Sequence, residues 1–376
     1  MRLCYIVTIL FAIGGAVFND FSQASMLAFL FIAVSALPLL ICALDTPALV
    51  SGTYVQSSRL AALRLVFLGL AIINVVVFVL GQGFRIADLF SPEGILQIAQ
   101  QATADRYELG STSGNPLLVC AVFVNAFLWA GARMPFLFAL LIGLIPAAVY
   151  SILSTEKWPL YCAMSFFLTN MLLLRAIEGR RLGLASFGPA ALLAVPAALL
   201  SLVMRQGISE GGAAVDASGE LTYMLAHYMF GGYEAFGQWL GAHYDSCCTL
   251  GFYTFVGPAS VLGLGERQQG VFEENIVVQG LETNIYTAWR YLAEDFSIIG
   301  PILLVSAYAL GYRYCVLSHK PRAAMALFTI LVVATLLQIN TTVFVHNSVA
   351  LAALACAIAS GTLFYKPHES TRADHI

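Results

Sequence analysis

The sequence predicts an all-α polytopic integral membrane protein of about ten transmembrane helices. Three observations carry that prediction. Sixty per cent of the residues are hydrophobic and only 10% are charged, where a soluble domain carries about 25% charged residues. The mean hydropathy is +0.83, more apolar surface than a soluble chain of this size can bury. The basic residues are also sorted by loop. With the N-terminus inside, the inner loops and tails receive twelve of the eighteen Lys and Arg, and the outer loops receive seventeen of the twenty-one Asp and Glu. That is the asymmetry of a polytopic chain with both termini in the cytoplasm.

A spanning helix needs about 20 mostly apolar residues. Runs of that kind occur at Leu3–Phe18, Met26–Leu44, Leu63–Leu80, Leu117–Ala132, Pro135–Leu153, Pro159–Leu174, Phe187–Met204, Phe296–Val316, Ala323–Gln338 and Val345–Phe364. The first is read as a helix rather than a cleaved signal, because Gly14-Gly15-Ala16 leads into Val-Phe-Asn-Asp and not into a small-x-small site. An even count with both ends inside agrees with the basic-residue split. Residues 1–376 form one transmembrane domain, with no internal repeat.

Two outer loops are long, and long loops in a compact protein are usually functional. The first covers residues 81–115 and carries an apolar stripe, Ile95, Leu96, Ile98 and Ala102, at helical spacing. The second covers residues 205–295. It is the longest stretch read as excluded from lipid, and it holds much of the chain's His, Asp and Glu. Helices lying on the outer membrane surface are expected in both. The inner loops are too small for a nucleotide-binding fold. No phosphate-binding Gly-Lys-Ser/Thr loop, Cys-x-x-Cys pair, His-Glu-x-x-His or Asp-x-Asp occurs, so no cofactor and no metal are expected. Six of the eight cysteines sit in apolar runs, and Cys247-Cys248 reads as incidental. Charged residues are scarce inside the spans, with Arg64 near an end, which argues against an ion-coupled pump or transporter.

Three groups in the outer loops have residues suited to chemistry. The first is His227 to Glu234. His227, Gly231 and Glu234 share a helical face, Tyr228 accompanies them, and Gly231-Gly232 is expected to weaken or break the helix and let Glu234 fold back towards His227. A His beside a carboxylate accepts protons near neutral pH; the plainer alternative is an amphipathic helix at the lipid boundary. The second is Asn284 to Asp295. Thr287, Arg290 and Glu294 fall on one helical face leading into the eighth span. Arg290 suits a phosphate or pyrophosphate; the alternative is a local ion pair with Glu294, with Thr283 or Asn284 as an N-cap. The third is Arg106 with Tyr107 in the first loop. Arg205, Arg267, His243, Asp245, Asn340 and His346 are weaker candidates that spacing does not select.

At these residues the chain resembles the Wzy-type oligosaccharide repeat-unit polymerases of bacterial surface polysaccharides. The resemblance rests on His227-Tyr-Met-Phe-Gly231-Gly-Tyr-Glu-Ala-Phe236, on Asn284-Ile-Tyr286-Thr287-Ala-Trp-Arg290-Tyr-Leu-Ala-Glu-Asp295-Phe296-Ser-Ile-Ile-Gly300, and on the Arg106-Tyr107 loop. Ser297 stands where that family commonly has Gly. The motif covers about thirty residues, and the topology nearly the whole chain. It implies a metal-independent glycosyltransferase of the bacterial inner membrane, acting at the periplasmic face on an undecaprenyl-pyrophosphate-linked oligosaccharide. The implied catalytic residues are His227, Glu234 and Asp295. Arg106, Tyr107, Tyr228, Gly231, Gly232, Asn284, Tyr286, Thr287 and Arg290 are implied to bind substrate. Membrane lipid and a chain-length regulator are the implied partners, and nucleic acid is not one. An O-antigen ligase and a lipid-linked oligosaccharide flippase are the competing expectations. The Asn284 segment favours the polymerase over the ligase, and the scarcity of intramembrane charge disfavours the flippase.

Overall fold

The computed structural model describes residues 1–45, 52–54, 57–109, 114–178, 217–243, 248–264, 276–283, 287–339 and 341–367. Nine of the ten expected spans coincide with helices. These are α1 (Arg2–Phe18), α2 (Gln23–Asp45), α3 (Ser58–Gly81), α5 (Pro116–Ala130), α6 (Phe136–Ser154), α7 (Trp158–Ile177), α11 (Gly300–Leu317), α12 (Pro321–Leu337) and α13 (Asn347–Thr362). The expected span Phe187–Met204 lies outside the described residues. Among those described, α2, α3, α6, α7 and α11 are long and apolar enough to cross a membrane. The chain is therefore an all-α membrane protein. The other four apolar helices have 17 residues or fewer, and at 1.5 Å per residue they reach about 25 Å, somewhat less than a ~30 Å hydrocarbon core.

Local chemistry sets the helix ends. Ser57 accepts from the Leu60 amide and starts α3, and Asn115 with Pro116 starts α5. Between α1 and α2 the chain turns through Asp20 and Phe21, both at positive φ, and Ser22 Oγ then caps α2 by accepting from the Ser25 amide at 3.0 Å. Thr155, also left-handed, ends α6.

The principal core is built around α5, where every residue from Ala121 to Trp129 is buried. Two buried amide side chains in this core donate to backbone carbonyls. Asn125 Nδ2 donates to the carbonyls of Ile142 and Gly143, and Asn170 Nδ2 donates to that of Phe127. Such bonds are the general solution for polar groups in an apolar interior. A second core joins α1 and α2 to the second long loop through Ala28, Ile32, Tyr233, Phe236, Trp239 and Trp289. A third seats the first loop's helix, α4 (Pro92–Leu109), by packing Ile98 and Ala102 against Phe78 and Tyr150.

One end of the bundle gathers basic residues on helix ends. Arg64, buried, donates to the carbonyls of Leu128 (3.0 Å) and Gly131 (2.6 Å) and so closes the C-terminus of α5. Arg2 Nε reaches the Ala43 carbonyl at 3.3 Å. At this end β1 (Gly52–Tyr54) pairs antiparallel with β4 (Tyr365–Pro367), Thr53 opposite Lys366. The segment after α2 and the segment after α13 therefore lie together, as an even number of crossings between them requires. Compartment reporters fused at Arg59 and after Lys366 should give the same reading, and one inserted at Gln279 the opposite. Unlike readings at Arg59 and Lys366 would contradict this arrangement.

Candidate functional site

The second long loop supplies α8 (Ala217–Ala242), α9 (Val256–Val261), a hairpin of β2 (Ile276–Val278) and β3 (Leu281–Thr283), and α10 (Ala288–Phe296). Helix α8 does not lie apart on a surface. All residues from Gly231 to Gly237 are buried, against α1 and α2. Small residues allow this. A Cβ on Gly237 would stand 1.9 Å from the Ala24 carbonyl oxygen, one on Gly15 2.8 Å from Tyr233 Cβ, and one on Gly14 2.6 Å from the Phe230 ring.

Gly231-Gly232 does not break the helix, contrary to the sequence expectation. Helix α8 runs unbroken from Ala217 to Ala242. Packing on α1 and α2 outweighs the roughly 1 kcal/mol that each glycine costs a helix. Glu234 is consequently not folded back on His227; seven residues of helix place them about 10 Å apart along the axis. The His227 ring lies over Gly231, where an added Cβ would sit 3.1 Å from Cε1. Burial holds the half-buried imidazole below its ordinary pKa, so it is neutral at pH 7 and able to accept a proton. Glu234 is 9% exposed. Its Oε2 accepts from Ser22 Oγ at 2.5 Å and its Oε1 from Gln238 Nε2 at 3.3 Å, so its carboxylate ties α8 to the α1–α2 turn. Asn19 and Gln279 extend the same polar seam: Asn19 Nδ2 donates to the Gly15 carbonyl, and Gln279 Nε2 to that of Phe18.

Arg290 sits on α10. It is 2% exposed, with Nε donating to Glu294 Oε2 at 3.2 Å and its guanidinium 5.0 Å from the Trp239 ring centre. The local ion pair expected as the alternative reading is formed, and because Arg290 is buried, removal of Glu294 would leave its charge poorly compensated. His243 also stacks on Trp239, at 5.7 Å and 16°. Arg290, Glu294, Trp239 and His243 thus form one group joining α8 to α10. The sequence does not bring Trp239 to notice, since its partner is fifty-one residues away.

The N-terminus of α10 is docked by Gln338, whose carbonyl accepts the Ala288 amide and whose Oε1 accepts Trp289 Nε1 at 3.2 Å. Thr287, not Thr283 or Asn284, occupies the N-cap position. Its hydroxyl is buried and has no hydrogen-bond partner among the described residues. Asp295 closes the other end of α10. Fully buried, it accepts from the hydroxyl of Thr249 and from the backbone amides of Tyr253 and Thr254. A carboxylate so saturated braces the 249–254 segment. The helix does not run on into the eighth span as expected. Ser297 takes φ 62°, ψ 177°, a backbone region that glycine occupies freely, and α11 starts only at Gly300.

No family model, no curated protein and no solved structure matches this chain. The site must be read from its own geometry. Arg106 and Tyr107 fall on the last turns of α4 and Tyr228 on α8, their side chains outside the described residues; Asn284, Tyr286, Arg205, Asp245, Arg267 and Asn340 also lie outside them. His346 meets Trp158 at the start of α7, 5.1 Å between ring centres and tilted by 41°. Cys248 is disulfide-bonded, which removes its thiol from nucleophilic chemistry. Among the described residues no group of three or more His, Cys, Asp and Glu is placed to hold a metal ion. Beside the cluster, Leu240 and Gly241 of α8 line an apolar groove of about 610 Å³ with Leu27, Leu30, Val34 and Ile302.

Two substitutions in purified protein test this account of α10. Asp295→Asn should cost about 2–3 kcal/mol, since an amide cannot accept from all three donors. Ser297→Gly should gain about 1 kcal/mol by relieving the positive φ. Thermal unfolding midpoints should therefore move in opposite directions; equal or reversed shifts would contradict these roles.

Proposed function

We propose that the protein polymerises a bacterial surface polysaccharide, transferring a glycan from its undecaprenyl pyrophosphate onto the next lipid-linked repeat unit at the periplasmic face of the inner membrane. The observation that carries the reading is a juxtaposition. A neutral imidazole, a positioned carboxylate and a Trp-backed arginine are mounted on two packed helices of the same outer loop, with an apolar groove alongside. A lipid-carried, anionic, sugar-bearing substrate needs each of these: a groove for the prenyl chain, cations for the pyrophosphate, aromatic rings for the sugar, and a base for the acceptor hydroxyl. The ten-span topology with both termini cytoplasmic belongs to this proposal and is supported by the β1–β4 pairing.

In the reaction the acceptor oxygen bonds to the anomeric carbon as that carbon's bond to the pyrophosphate oxygen breaks. His227 takes the acceptor proton, and undecaprenyl pyrophosphate departs. Glu234, fixed by Ser22 and Gln238, orients the acceptor sugar. Arg290 steadies the departing pyrophosphate, which displaces Glu294 from the guanidinium, and Arg106 of the first loop is assigned to the same anion. Asp295 holds α10 in place. No nucleotide is required, because the lipid pyrophosphate is already activated. A chain-length regulator is the expected protein partner.

Purified protein supplied with lipid-linked repeat units tests the assignment. His227→Ala should slow extension by about 10²–10⁴, and Arg290→Lys should lose much of the activity because it keeps the charge without the planar fork. In the wild type, turnover should fall as pH drops below the ordinary imidazole range, since protonation removes the base, and His227→Ala should abolish that limb. Near-normal turnover in His227→Ala, Glu234→Gln and their double variant would remove α8 from the chemistry.

A further inference from the structure

Between Asp245 and Glu266 the second loop contains twenty consecutive residues without a charge, among them Thr249-Leu-Gly-Phe-Tyr-Thr-Phe-Val-Gly-Pro-Ala-Ser-Val-Leu-Gly-Leu264. Among residues 249–264 only Val256–Val261 is helical, so this part does not cross a bilayer as a helix and has the form of a re-entrant or interfacial segment. We infer that residues 249–264 are a membrane-dipping element seated among the acyl chains of the outer leaflet.

The segment doubles back on itself. Leu250 and Gly251 take positive φ at its start and Gly263 at its end, with the single turn of α9 between them. One face is fastened to the protein at three places. Asp295 receives Thr249, Tyr253 and Thr254. The Thr254 carbonyl accepts from Thr342 Oγ1 at 3.2 Å. Gly257 packs so close to the 344–345 backbone that a Cβ there would stand 2.6 Å from the Phe344 carbonyl oxygen. The other face presents Leu250, Leu262 and Leu264, which are 85%, 71% and 74% exposed, beside the partly exposed rings of Phe252 and Phe255.

What covers that face follows from its level in the molecule. Its fastening points lie at the beginnings of two apolar helices: Asp295 precedes α11, which starts at Gly300, and Thr342 and Phe344 precede α13, which starts at Asn347. The Phe255 ring also meets Phe296, 6.4 Å between centres. Just beyond, Ile299, the N-cap of α11, and Leu303 in its first turn are exposed. The exposed leucines therefore continue the lipid-facing surface of a candidate span, at the height where the hydrocarbon begins. The backbone suits that setting. The amides of Phe255, Ala259, Leu262 and Leu264 donate to the carbonyls of Gly251, Phe255, Pro258 and Ala259, and Ser260 Oγ to that of Gly257; such internal satisfaction is what a non-spanning segment in contact with hydrocarbon needs. Because Asp295 lies on the helix that carries Arg290, the depth of this element also fixes the height of the arginine relative to the headgroups.

The experiment reads depth and does not depend on any enzymatic activity. Leu262→Trp and Leu264→Trp are made separately in the full chain, both at exposed positions, and each is reconstituted into phosphatidylcholine vesicles with or without bromine on the acyl chains. The wild-type emission, from the chain's four tryptophans, is subtracted. The emission added at each position should be lost to the brominated lipid and resist aqueous iodide. Quenching by iodide but not by bromine would place the segment in water, and quenching by neither would place it against another protein copy; either result overturns the inference.

Discussion

The close approach of α8 to the first two helices is the contact on which the half of this protein that carries the second loop depends. At Gly237 the two backbones come so near that not even a methyl group fits beneath the Ala24 carbonyl. Burial of Phe236 and Trp239 in the same seam supplies the apolar gain, while Ser22, which caps α2, donates to Glu234 and fixes the register. Small residues admit such backbone contact, and in an apolar setting dispersion and hydrogen bonds rather than water exclusion then hold the helices together. Once α8 is held, Trp239 is held, and Trp239 is the platform beneath Arg290.

The charges of the loop are consequently less free than their number suggests. Glu234 is engaged at both oxygens, Asp295 is saturated by donors, and Arg290 is clasped between Glu294 and an indole face. Buried charges persist only where partners replace their water. His227 differs in kind: burial favours its neutral form and lowers its pKa, so its ring is uncharged near neutral pH.

The apolar runs were legible in the sequence because each helix advertises itself over roughly twenty residues, and nine expected spans meet helices within a few residues of their ends. The Arg290–Glu294 pair was legible too, being local. What the sequence did not reveal depends on distant partners. Gly231-Gly232 looks like a break until α1 and α2 are seen holding the helix straight. Asp295 looks like a reactive carboxylate until Thr249, Tyr253 and Thr254, more than forty residues earlier, are seen donating to it. The uncharged stretch from Thr249 to Leu264 is overlooked when the second loop is judged by its many acidic residues as a whole.

The central claim is that the second loop is docked on the first helical pair. It is tested most directly by linking Ser22 to Glu234. With both replaced by cysteine in the full chain and a protease site placed at Gly212, a short bis-methanethiosulfonate linker, which forms a reducible disulfide at each thiol, should join the two positions in the membrane. After cleavage the fragments should remain together on a non-reducing gel and separate on reduction. Fragments that separate without reduction, from protein of normal abundance, would show that α8 is not held against α1 and α2 and would contradict the account.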